Sequence, residues 1–134
     1  MKLVIIDGQG GRLGSLLVEA IQKETLPVDP LVIGTNAIAT AAMLKAGANQ
    51  GATGENPVLV ACRDADVIVG SLGILSADSL LGEITPNMAV AVGQSKALKL
   101  LLPLGRCNNQ VIGVKDATMS ELVKETVERL KTLL

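Results

Sequence analysis

The 134-residue sequence contains no histidine, tryptophan, tyrosine or phenylalanine. Without histidine, the usual general base near neutral pH and the commonest metal ligand are both missing. Serine–histidine triads, histidine-liganded zinc and tyrosine-dependent hydride-transfer pairs are thereby excluded. Without aromatics, unpaired bases have no stacking platform, and 12 Lys+Arg against 13 Asp+Glu supply no basic field. Nucleic acid is therefore not expected as a partner. An adenine bound here would have to sit between aliphatic side chains or on an arginine.

Cysteine is nearly absent too. Cys62 and Cys107 are too few and too far apart for a disulfide framework or a zinc knuckle, and read as free thiols in a reducing compartment. The apolar run at residues 3–6 reaches Asp7-Gly8 too early for a signal-peptide core, and no stretch approaches the roughly 18 apolar residues of a membrane span. These absences predict a cytoplasmic protein with no membrane partner and no metal ligand set.

What is present is apolar: 49% of residues are hydrophobic, 19% are charged and the net charge is -1, which excludes intrinsic disorder. A chain of this length buries roughly 65–70% of the surface its unfolded form exposes, enough for one domain, here residues 1–134. Leu3-Val4-Ile5-Ile6 reads as a strand buried on both faces. A helix follows, with Leu13, Leu16, Leu17, Ala20 and Ile21 at helical spacing. Leu31-Val32-Ile33 is a second strand. Thr35 or Asn36 caps an Ala-rich helix that stops at Gly47.

Further on, a short strand falls within residues 48–54, and Asn56-Pro57 reads as N-cap and first residue of a helix reaching about Arg63. Strands are predicted at 66–70, 98–102 and 111–114, with a helix opening at Thr85-Pro86 and running to about Ser95. Thr118 and Glu121 form a capping box for the last helix, with Val123, Val127, Leu130 and Leu134 on one face. Strands alternating with helices imply an α/β, doubly wound, mostly parallel sheet of about five or six strands, Rossmann-like.

In such a sheet ligands bind beyond the carboxyl ends of the strands. Three glycine-bearing segments fall there. Gly8, Gly11 and Gly14 make GxxGxxG, with Gly10 inside it and Gln9, Arg12 and Leu13 completing the turn. The amides of Gly10, Gly11 and Arg12 would point at an anion, and the Arg12 guanidinium could join them. At the second strand end, Gly34, Thr35 and Asn36 stand where an acid usually holds the ribose. Their neutrality tilts the expectation from NAD towards NADP. Gly70 and Ser71 end the strand at 66–70 and would lie beside a second ribose. Asp7 precedes the loop, where it either accepts hydrogen bonds from its own turn or meets Mg²⁺. The other chemical candidates are Lys45, Lys96, Lys99, Arg106, Glu55 and Glu83, with Cys107 beside Arg106.

The run KLVIIDGQGGRLG resembles the fingerprint of extended short-chain dehydrogenases and, in GRLG, that of dihydrodipicolinate reductase. The resemblance covers about the first 35 residues and implies cofactor contacts at Gly8, Gly11, Arg12 and Gly14. Neither family's catalytic pattern is matched, since the first needs Tyr and the second His. The whole chain, through GTNAIATAAMLKAG and GATGEN, resembles a family of small uncharacterised bacterial proteins with a Rossmann-like fold.

These readings predict a nucleotide or other phosphate-bearing small molecule as ligand, NADP or NAD in particular. The protein would act as a sensor or assembly component. The alternatives are a compact enzyme completed across a subunit interface, or a protein that keeps the fold and binds nothing. A homo-oligomer is expected, because the leucine-rich run at residues 98–104 needs cover on both faces.

Overall fold

The computed structural model describes residues 1–104 and 108–134. Five strands, β1 (Leu3–Asp7), β2 (Leu31–Gly34), β3 (Gln50–Thr53), β4 (Val67–Ser71) and β5 (Leu98–Leu102), form one sheet in the order β3-β2-β1-β4-β5. Every pairing is parallel. The helices are α1 (Arg12–Lys23), α2 (Ala37–Lys45), α3 (Glu55–Ala61), α4 (Pro86–Gln94) and α5 (Met119–Leu133).

Side-chain alternation along the strands divides the core. Leu3 and Ile5 of β1, with Val67 and Val69 of β4, face α1, α2 and α5, where Leu17, Ile21, Met43 and Leu130 are buried. Val4, Ile6 and Ile68 face the opposite way, onto Val58 of α3 and Met88 and Val92 of α4. The sheet is thus covered on both faces, as a parallel sheet requires. The winding reverses between β1 and β4, and the crevice beyond their carboxyl ends is the switch point of this topology.

The structure departs from the sequence reading in four places. No strand forms at 111–114: Gly113 is at φ 87°, Ile112 is exposed, and no strand pairs with the segment. α3 begins at Glu55 after Gly54, whose φ of 101° suits glycine, so Asn56 and Pro57 lie inside the first turn. Proline is tolerated there because those amides have no helical acceptor in any case. β4 runs one residue past its expected end at Gly70, to Ser71, and Leu72–Leu75 winds into a 3-10 turn. Leu134 is exposed beyond the end of α5, while Thr126 takes a place on its buried face.

Candidate functional site

β1 ends at Asp7 and the chain turns through residues 8–11 into α1. Asp7 closes this turn from inside: its Oδ1 accepts the Gly8 amide at 2.8 Å and its Oδ2 accepts the Gly14 amide at 2.7 Å. The carboxylate therefore caps its own loop. Burial pushes the Asp7 carboxyl above its ordinary value; the Gly14 and Gly8 amides oppose the rise, and the Glu83 charge adds to it.

The glycines answer different demands. Gly11 sits at φ 72°, and a Cβ there would lie 2.8 Å from the Ala39 carbonyl oxygen of α2. Gly14 lets α1 approach Met43, and Gly34 lets Thr40 of α2 approach β2. A Cβ on Gly70 would lie 2.8 Å from the Ile6 carbonyl oxygen. These four belong to packing. Gly10 differs: no atom lies within 4 Å of its absent Cβ, and its φ is not positive. Nothing in the protein demands a glycine there.

Donors around the turn are unevenly used. The Gly11 amide donates to the Gly8 carbonyl at 2.9 Å, and the Gln9 amide to Glu83 Oε1 at 2.9 Å. The amides of Gly10, Arg12 and Leu13 have no acceptor among the described residues. They line a crevice of about 290 Å³ between the ends of β1 and β4. Ser71, Leu80, Leu104 and Met119 complete its wall. Arg12 is exposed at the mouth and makes no ion pair among the described residues. A larger groove, about 540 Å³, runs between α3 and α4, but it lies away from the strand carboxyl ends and gathers no set of unengaged amides.

Thr35 and Asn36 meet Glu83, an acid some 47 residues away in the chain. Glu83 Oε1 accepts from Thr35 Oγ1 at 2.6 Å and from Asn36 Nδ2 at 2.7 Å, besides the Gln9 amide. Asn36 also caps α2, its Oδ1 accepting the Ala39 amide at 2.9 Å. Burial raises the Glu83 carboxyl, but the hydrogen bonds from Thr35, Gln9 and Asn36 outweigh it and hold the group below its ordinary value. The tip of β2 is thus acidic, although its own residues are neutral. Gly8 makes this possible: a Cβ there would lie 2.6 Å from Thr35 Oγ1 and 3.1 Å from Glu83 Oε1.

The loop carrying Glu83 is wound on itself. Asp78, Leu80, Leu81 and Gly82 all have positive φ, the Asp78 amide donates to the Ile84 carbonyl at 2.7 Å, and the buried Ser79 hydroxyl donates to the Gly73 carbonyl. Non-glycine residues in this region cost about 1–3 kcal/mol each and persist only where the surroundings enforce them.

The structure therefore brings Gly8, Gln9, Gly10, Gly11, Arg12, Leu13 and Ser71 to one crevice, with Thr35 and Asn36 on the adjoining side of Glu83. Gly14, Gly34 and Gly70 stand behind it. Leu80, Leu104 and Met119 are additions that no local pattern announced. Of the other candidates, Lys99 donates to the Ser95 and Gly93 carbonyls at the end of α4, and Thr85 donates to Glu55. Lys96 precedes β5 and so lies at the sheet's amino-terminal edge, away from the crevice, and Lys45 is exposed in the last turn of α2. Arg106 and Cys107 fall outside the described residues, and Cys62 is a buried free thiol. Among the described residues no group of three or more Cys, Asp or Glu could hold a metal ion, and no helix is long and apolar enough to cross a membrane.

The sequence model of a family described as a domain of unknown function (DUF3842) matches residues 2–134. No curated protein and no solved structure matches the chain.

Proposed function

We propose, for a chain that belongs to the DUF3842 family over residues 2–134, that it is a nucleotide-binding module for an NAD(P)-type dinucleotide, serving as a sensor or assembly component. One observation carries this reading. Three amides, those of Gly10, Arg12 and Leu13, have no acceptor among the described residues at the β1/β4 switch point, where the missing side chain of Gly10 leaves open space. Helix amino-terminal amides of this kind stabilise an anion through hydrogen bonds and the helix dipole. They and the Arg12 guanidinium would hold a pyrophosphate, and Ser71 would lie beside the second ribose. The bound nicotinamide would supply hydride chemistry. The chain's own part is limited to binding and orientation, because both Asp7 oxygens are engaged by the loop.

A thermal-melt panel followed by far-UV circular dichroism tests this, with NAD, NADP, ATP, coenzyme A and phosphate, each with and without Mg²⁺. A ligand at about 100 times its Kd adds about 2.7 kcal/mol, several degrees in Tm for a domain of this size. Gly10→Val is expected to leave the unliganded Tm unchanged and to abolish the shift. A second reading, a protein that binds nothing, draws on the Gln9 amide being already taken by Glu83. Silence across the panel would favour it and overturn the first.

A further inference from the structure

Glu83 is fixed beside the glycine loop by three donors on one oxygen, from Gln9, Thr35 and Asn36. Its Oε2 accepts nothing among the described residues. Of the loop's amides it takes that of Gln9 and leaves Gly10, Arg12 and Leu13 clear, so the acid stands next to the phosphate position and not in it. Two aliphatic side chains lie within two residues of this cluster and face solvent: Ile38, 72% exposed, and Leu81, 95% exposed.

We infer that Glu83 is the specificity residue of this site: its carboxylate accepts the hydroxyls of an unphosphorylated ribose diol, as in NAD, and turns away a 2′-phosphate, as in NADP. The inference rests on the nucleotide reading above. A diol brings two O–H donors to an oxygen that has none. A 2′-phosphate brings negative charge to a carboxylate whose three donors keep it ionised. Thr35 and Asn36 could serve that phosphate only by releasing Glu83, which would leave a half-buried charge with the Gln9 amide as its one remaining donor among the described residues. Ile38 and Leu81 offer the aliphatic cover that an adenine needs in a chain without aromatics.

Isothermal titration of NAD and NADP into the full chain tests it, with wild type, Glu83→Gln and Glu83→Asp. Wild type is expected to prefer NAD by about tenfold or more, the worth of one hydrogen bond to a charged group. Glu83→Gln is expected to bring the two affinities within about threefold, chiefly by strengthening NADP. Glu83→Asp keeps the charge on a shorter stem, so it should still reject NADP while losing NAD affinity. A wild type that binds NADP as well as NAD overturns the inference and leaves nucleotide binding standing, whether or not the variants fold. So does a Glu83→Gln protein, folded by circular dichroism, that keeps the wild-type ratio or gains equally for both ligands. Absence of binding by wild type to either ligand overturns the nucleotide reading, and the inference with it.

Discussion

Gly10 and Gly11 are neighbours with opposite sensitivities. At Gly11 an alanine would meet the Ala39 backbone and hold an L-residue at φ 72°, so Gly11→Ala is expected to cost at least about 2 kcal/mol. At Gly10 a methyl group meets nothing, and Gly10→Ala is expected to change stability by less than about 0.5 kcal/mol. Urea titration followed by circular dichroism reads both, since the chain has no Trp or Tyr for fluorescence. Asp7 adds a pH signature. Its carboxyl is raised in the folded state, so its stabilising contribution is present below the ordinary 3.8 and is lost as pH rises through the folded value. Asp7→Asn removes that decline. Its Tm relative to wild type is therefore expected to climb as pH rises from about 4 through the raised folded value, and a constant difference would refute the assignment. Glu83 runs the other way: its contribution is present above the ordinary 4.5 and is lost as pH falls through its lowered value.

Caps and faces decide the elements. α5 opens on a complete capping box, the Thr118 hydroxyl accepting the Glu121 amide at 3.2 Å and the Glu121 carboxylate accepting the Thr118 amide at 3.2 Å. Thr118→Ala is expected to cost about 1 kcal/mol. Asn36 caps α2 and in addition donates to Gln9 O at 3.0 Å and to Glu83. Asn36→Ala should therefore cost clearly more than Thr118→Ala, and equal losses in paired urea titrations would show that the Glu83 cluster contributes nothing to stability. The Thr118 cap was legible in the sequence, and Asn36 was one of two candidates with Thr35, because a cap is local: donor and acceptor lie three residues apart. The strand expected at 111–114 failed for the converse reason. Apolar residues allow a strand, but only pairing with a neighbour makes one, and this segment turns at Gly113 with Ile112 in solvent and pairs with no strand.

At the scale of the whole molecule, the sheet ends in an apolar edge. Among the described residues β5 pairs with β4 alone, and Leu98, Leu100 and Leu101 along it are exposed or half-buried. Lys99, the kind of residue that guards an edge, directs its ammonium to the carbonyls at the end of α4. The homo-oligomer expected from the leucine-rich run at residues 98–104 would use this edge. Size-exclusion chromatography with light scattering is expected to return about twice the 13.8 kDa chain mass, and a monomer at tens of micromolar would refute it. Leu100→Lys should then shift the assembly towards monomer, with a Tm that no longer depends on protein concentration.

Short-range order was within reach of the sequence by itself. Runs of β-branched residues, helical spacing of leucines, glycine and proline at the turns and two caps placed all five strands and five helices, because each signal acts within a few residues of its cause. The same locality explains why Asp7 could be expected to hold its own loop. Tertiary structure alone decided which glycines serve packing and which leaves open space, since that depends on α2 lying across α1 and β2. It alone brought Glu83 to Thr35 and Asn36. In the sequence Glu83 is one acid among several, and those two residues make the tip of β2 look neutral. Only the crossing from β4 to α4, with its left-handed loop, carries that charge some 47 residues back to them, because electrostatics acts through space and the chain order does not record it.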